Sequence, residues 1–174
     1  MITLDDFIDD APWVPQDRPF AEVRIDDQIE GLRLCRLSGN SDGRGTLTVL
    51  MSDTYQPGIS TPHVYHVLAE AGSVRAWVYH KRQHDQLAFL TGDFRVVLYD
   101  LRPESATYGR LNVLEVGADN PVQVTIPPRV VHAVQNRGAA PAHFVNMPTR
   151  AYDPAHPDKS RLPKGHPGIP FSFD

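Results

Sequence analysis

Apolar and polar residues alternate through this chain in short runs, a period of two that fits half-buried β-strands rather than the wider apolar stripe of a helix. RLCRL, TLTVLM, HVYHVLA, VRAWVYH, QLAFLTG, FRVVLYDL, LNVLEV, VQVTI, VVHAVQ and AHFVNM follow one another in this way. SGNSDGRG, TGD, GADNP, IPP and NRGAAP stand between them as turns. Sixteen prolines and twelve glycines, spread along the chain, leave little room for long helices. Many short strands at this spacing predict an all-β sandwich or barrel. ITLDDFIDD is expected to form a short N-terminal helix capped by Thr3. The proline-rich ending YDPAHPDKSRLPKGHPGIPFSFD is expected to lie as an extended or irregular tail over the body of the fold.

Composition narrows the class. At 174 residues, the chain suits one domain, 1–174, with a full core. Its 41% hydrophobic and 22% charged residues are globular in balance. A net charge of −4 and a pI near 6.0 speak against nucleic acid or an anionic membrane as partner, while leaving room for a local basic pocket. No apolar run is long enough for a membrane span, and the acidic start lacks the form of a secretion signal, so a cytoplasmic location is expected. The single cysteine, Cys35, excludes an internal disulfide and reads as a small buried residue.

Candidate chemistry gathers at the histidines. Along Arg75–His80, strict alternation sets Arg75, Trp77 and Tyr79 on one face and Ala76, Val78 and His80 on the other. Trp77 and Tyr79 are expected to pack the outer face. Gly72, Val78, His80, Asp85 and Gly92 form one spaced block; Pro127, His132 and Asn136 form a second. Together they resemble the paired motifs of the cupin superfamily, small β-barrels that hold their site inside the barrel mouth. In that pattern Val78 stands where a first histidine would be, Asp85 where a glutamate would be, and Arg129 where the second block has glycine.

A closer resemblance runs from about Gly31 to the C-terminus. SDGRGTL, STPHVYHVLAEAGSVRAWVYHKRQHDQLAFLTG, VVLYDLRPESATYG, TIPPRVVHAV and the YDP…RLP…HPGIPFSF ending are similar to the dTDP-4-dehydrorhamnose 3,5-epimerase family. The resemblance implies a cupin jelly-roll β-barrel, a homodimer that trades N-terminal strands, a small-molecule substrate, and no metal or other cofactor. It also implies proton removal next to the keto group of a nucleotide-linked sugar and return on the opposite face. That chemistry needs a base, an acid and something to hold the enolate oxygen. Carried over residue by residue, the base falls on Val78, its orienting carboxylate on His166, the acid near Asn146 and an enolate-facing lysine on Asp85. Arg75, implied to meet a diphosphate, and His132 are kept.

Valine exchanges no proton, so the resemblance carries the fold further than the reaction. His80, on the face of Val78, is a candidate replacement base; the bland alternative is a solvated residue at a strand end. His132, between Val130 and Val134 on its face, is a site residue or a satisfied core histidine. His166 is a candidate second acid–base group or a surface histidine, and His63 and Asn146 are candidates to orient the substrate. Lys81 and Arg82 are either an anion grip or a charged turn; His84 reads as a solvated turn residue, and His143 and His156 as exposed. The expected function is a small-molecule isomerase, epimerase or cyclase with His80 and His132 as acid–base groups. The apolar Val78 suggests a substrate less polar than a nucleotide sugar, such as a secondary-metabolite intermediate. Two alternatives stand beside it: a ligand-binding cupin without turnover, and a metal-dependent oxygenase or isomerase using His80, Asp85 and His132.

Overall fold

The computed structural model describes residues 2–12, 20–54, 56 and 58–173. Among them the strands are β1 (Phe20–Val23), β2 (Arg33–Leu37), β3 (Gly39–Asp42), β4 (Gly45–Thr48), β5 (Tyr65–Ala69), β6 (Val74–His80) and β7 (Asp85–Phe89). They continue as β8 (Asp93–Asp100), β9 (Leu111–Gly117), β10 (Val122–Ile126), β11 (Val130–Asn136), β12 (Ala142–Asn146) and β13 (Lys159–Arg161). One sheet has the order β1-β2-β10-β7-β12-β5, a second β13-β6-β11-β8-β9, and β3 and β4 form a separate hairpin. All the pairings are antiparallel. The described residues hold no helix long and apolar enough to cross a membrane.

Alternation decides which side chains meet. Leu34, Leu87, Phe89, Val122, Val124 and Phe144 of the first sheet pack against Phe94, Val96, Leu98, Leu114, Val116, Val130 and Val134 of the second. The core is therefore a layer between two facing sheets, with its aromatic centre at Phe89, Phe94 and Phe144, whose ring centroids lie 5.2–5.8 Å apart.

The expected jelly-roll barrel is the fold. One expectation, at the N-terminal end, is corrected. The N-terminal segment makes only a 3-10 turn, Leu4–Asp6, because Asp6 Oδ2 accepts from Thr3 N at 2.7 Å and no residue of the turn is buried; without a packed face, a short helix has nothing to sustain it. The tail lies, as expected, as an extended and largely irregular segment over the body of the fold. It contributes β13 to the edge of β6, and Trp77 and Leu162 exchange backbone hydrogen bonds at 3.1 Å. Trp77 is fully buried on the outer face of that sheet, its indole N–H donating to the Lys164 carbonyl at 3.0 Å, with Ile169, Phe171 and Phe173 packed over it. Tyr79 packs beside this cluster, as the pattern predicts for that face.

Candidate active site

The site is built where the two sheets meet at the barrel mouth. His80, at the end of β6, and His132, on β11, come from the second sheet; Asp85, at the start of β7, comes from the first. Asp85 reaches across, so that its Oδ2 lies 3.1 Å from His80 Nε2 and 3.4 Å from His132 Nε2. Its other oxygen accepts from Gln83 Nε2 at 2.7 Å. The imidazoles lie 6.0 Å apart at an interplanar angle of 26°. Burial raises the Asp85 carboxyl, but the hydrogen bonds and charges of His132 and His80 outweigh it and hold the group well below the usual carboxylate range.

The two histidines are not equivalent. His132 Nδ1 stands 3.2 Å from the Val130 carbonyl, which can only accept, so Nδ1 carries a hydrogen. Its Nε2 faces Asp85 Oδ2 at 3.4 Å. His80 Nε2 faces the same carboxylate oxygen. Its Nδ1 is buried with no hydrogen-bond partner among the described residues. Arg129 ties the pieces together: at a left-handed φ of 65°, it donates its backbone N–H to the His80 carbonyl at 2.7 Å, just before β11 begins.

Two cavities that share lining residues lie at this trio. A deep well of about 110 Å³ is lined by Tyr65, Arg75, Val78, His80, Asp85, His132, Asn146, Lys159 and Arg161, with Val67, Leu87, Val134 and Phe144 as its apolar part. An outer vestibule of about 550 Å³ shares Tyr65, Arg75, His80 and Lys159 and adds His63, Arg82, Gln83, Arg150, Tyr152 and the 153–158 tail. Burial and the charges of Arg161 and Arg75 push the Lys159 ammonium down, against the pull of Asp85.

Strict alternation misplaces Arg75. Val78 pairs with His132 but Arg75 pairs with Val134, so Ala76 and Trp77 together stand opposite Ala133. This β-bulge shifts the phase of β6 by one residue. Arg75 therefore lines the same well as Val78 and His80 rather than the opposite face.

The other predicted positions divide. His63 reaches the vestibule, its ring 5.4 Å from that of Tyr65, and Asn146 reaches the well. His166 does not join them: it is exposed in the tail, its Nδ1 accepting from Gly168 N at 3.1 Å. The carboxylate that stands beside His80 is that of Asp85, not a residue of the tail. Arg82 pairs with Asp158 at 3.2 Å on the vestibule wall, and Lys81 is exposed and lines neither cavity. His84 is half-buried rather than solvated, and burial lowers its pKa. His143 is exposed and stacks on His66 at 5.5 Å, and His156 is exposed against Asp153. Cys35 is buried.

Tyr65, Gln83, Lys159 and Arg161 escaped the sequence reading. Tyr65 had a signal, since it shares the strand face of Val67 and Ala69. KSR has none, because three polar residues show no alternation. His80, Asp85 and His132 also bring one potential metal ligand atom each within 4.8 Å. Arg75, Lys159 and Arg161 face the same space, so the cationic lining fits an anion better than a divalent metal.

A jelly-roll barrel with paired imidazoles, a buried carboxylate and a cationic mouth defines a small-molecule site of the cupin type. The dTDP-4-dehydrorhamnose 3,5-epimerase family model matches residues 26–169, and the chain belongs to that family. It is 33% identical over 146 residues to the spore coat polysaccharide biosynthesis protein SpsL of Bacillus subtilis, covering 84% of this chain and 97% of that protein. It is 33% identical over 137 residues to the "Probable low-salt glycan biosynthesis epimerase Agl13" of Haloferax volcanii, covering 78% and 88%. The crystal structure of a dTDP sugar isomerase from Desulfovibrio desulfuricans G20 superposes with a TM-score of 0.78 at 28% identity, over 83% of this chain and 92% of that one. The chain is thus a member of an isomerase family of sugar biosynthesis.

Proposed function

We propose that the protein epimerises a nucleotide-linked keto sugar destined for a glycan, by proton transfer at the carbon next to the carbonyl. The observation that carries this reading is the His80–Asp85–His132 trio, set inside a well whose rim is cationic. Asp85 orients His80, which acts as the base. His132 shares the Asp85 carboxylate and lines the same well, whose cationic groups suit the enolate oxygen that develops. Arg75, Lys159 and Arg161 suit the diphosphate, and the vestibule with Tyr152 and His63 has room for the nucleoside. This lining favours a nucleotide sugar over the apolar secondary-metabolite intermediate that Val78 alone suggests.

The test is nuclear magnetic resonance of dTDP-linked 4-keto-6-deoxyglucose incubated with the protein in deuterium oxide. Deuterium should enter next to the carbonyl, and His80→Gln should slow entry by roughly 10²–10⁴-fold. Tight binding without entry would leave a ligand-binding cupin. Entry that needs added metal and stops with chelator would move His80, Asp85 and His132 to the role of ligands.

A further inference from the structure

Gln83 sits in the turn between β6 and β7, next to the exposed Arg82, yet it is itself buried. Its amide Nε2 donates to Asp85 Oδ1 at 2.7 Å, while both histidines face the other oxygen, Oδ2. An ionised carboxylate only accepts, so the amide nitrogen is the atom that faces it. Contacts on Oδ2 alone would let the carboxylate turn about its Cβ–Cγ bond. The bond from Gln83 to Oδ1 fixes its plane.

The turn that carries Gln83 is in turn held by the tail. The Asp158 carbonyl accepts from Lys81 N at 2.9 Å, and its Oδ2 accepts from Arg82 N at 3.2 Å and Gln83 N at 2.9 Å. Arg82 Nε donates to Oδ1 at 3.2 Å, and Thr149 Oγ1 takes the next backbone N–H, that of His84, at 3.0 Å. The backbone donors of residues 81–84 are thus fixed from outside the turn, those of 81–83 by Asp158. Burial raises the Asp158 carboxyl, but the N–H groups of Gln83 and Arg82 outweigh it and hold the group below the usual carboxylate range. Lys159, the next residue, pairs with His80 on the β13–β6 ladder and lines both cavities. One short piece of tail therefore reaches the turn, the strand of the base and the cationic lining together.

We propose that Gln83 is a positioning residue that fixes the Asp85 carboxylate against His80, and that Asp158 sets Gln83 by holding its turn from the tail. This rests on the acid–base reading above, in which Asp85 orients His80. Neither Gln83 nor Asp158 exchanges a proton with the substrate in this role. They act by keeping the base at its productive angle, an effect that belongs in kcat rather than in KM. The tail is then a working part of the site as well as its cover.

Steady-state turnover of dTDP-linked 4-keto-6-deoxyglucose by the full chain tests it. Gln83→Leu, which removes the donor, should lower kcat by roughly 10–100-fold and leave KM within about threefold. Asp158→Ala should lower kcat by about tenfold, and Asp158→Asn, which keeps an acceptor where the two N–H groups converge, should run at least about fivefold faster than Asp158→Ala. Because Asp158 acts through Gln83, Asp158→Ala should cost no more than about a further twofold in a chain that already carries Gln83→Leu. A Gln83→Leu loss that falls on KM with kcat unchanged would overturn the proposal, as would losses that multiply in the double variant. The imidazole nitrogen resonances of His80 report the geometry apart from turnover. They should shift in Gln83→Leu and in Asp158→Ala, and unmoved resonances in folded variants would overturn the positioning. An unaltered protein that exchanges no deuterium would overturn the acid–base reading itself, and the same resonances would then decide by themselves whether Gln83 and Asp158 hold the Asp85–His80 pair.

Discussion

Asp85 at the barrel mouth and Asp100 at the end of β8 are both buried carboxylates, and both are held well below the usual carboxylate range. Burial opposes ionisation at each; hydrogen bonds overcome it. At Asp100 the donors are fixed and complete. Arg102 Nε and Nη2 donate at 2.9 and 2.8 Å, its backbone N–H at 3.0 Å, and Ser105 and Thr107 at 2.7 and 2.6 Å. At Asp85 two of the three contacts come from histidines, side chains that can exchange a proton, and the group opens on a cavity. A depressed pKa alone therefore does not mark the active site. Proton-exchanging partners and access to a ligand do.

The largest expected effects break this contrast directly. Asp85→Asn should lower turnover by roughly 10²–10⁴-fold with the fold intact, since it removes the carboxylate that orients His80 and that His132 shares. Asp100→Asn should leave turnover per folded molecule unchanged but cost about 3–5 kcal/mol of stability, because Arg102 loses its charged partner inside the protein. Steady-state rates and urea unfolding on both variants check the pair; a stability loss at Asp85 equal to that at Asp100 would erase the distinction.

Next in size is Trp77→Ala, expected to cost about 3–5 kcal/mol and to free the tail. Limited proteolysis should then cut near 159–173 before the barrel. Because β13 carries Lys159 and Arg161, binding of the dTDP-linked sugar should weaken as well, tying the outer cluster to the well.

Acid sharpens the comparison further. Both aspartates titrate lower in the folded chain than in the unfolded one, so the unfolded state binds more protons in acid. Their contribution is complete above the unfolded value near 4 and declines as pH falls below it. Melting temperature should drop below about pH 4, and each Asp→Asn variant should flatten that slope. The smallest effect is at Arg129, where a left-handed backbone costs roughly 1 kcal/mol in a residue with a Cβ. Arg129→Gly should gain no more than about that amount, less the exposed pair with Glu104; a large loss in urea midpoint would show that the side chain holds the loop.

Much of this molecule was legible in its pattern. VQVTI became β10 residue for residue, and His132, Asp85 and His80 were picked out by spacing before any partner was visible. What escaped has a common cause. The bulge at Ala76–Trp77 that turns Arg75 into the well is made by the pairing of β6 with β11, and no local residue signals it. His166 carried the look of a catalytic histidine, but its tail runs elsewhere.

The sequence by itself determined the strands and the buried faces, because period and residue type are local properties of the chain. Only the tertiary structure decided that Asp85 crosses from one sheet to two histidines on the other, that Tyr65 and Asn146 line the same well, and that a three-residue strand brings Lys159 and Arg161 to the mouth. Those choices rest on which strand lies beside which and in what register, and contacts between residues distant along the chain leave no periodic trace within it.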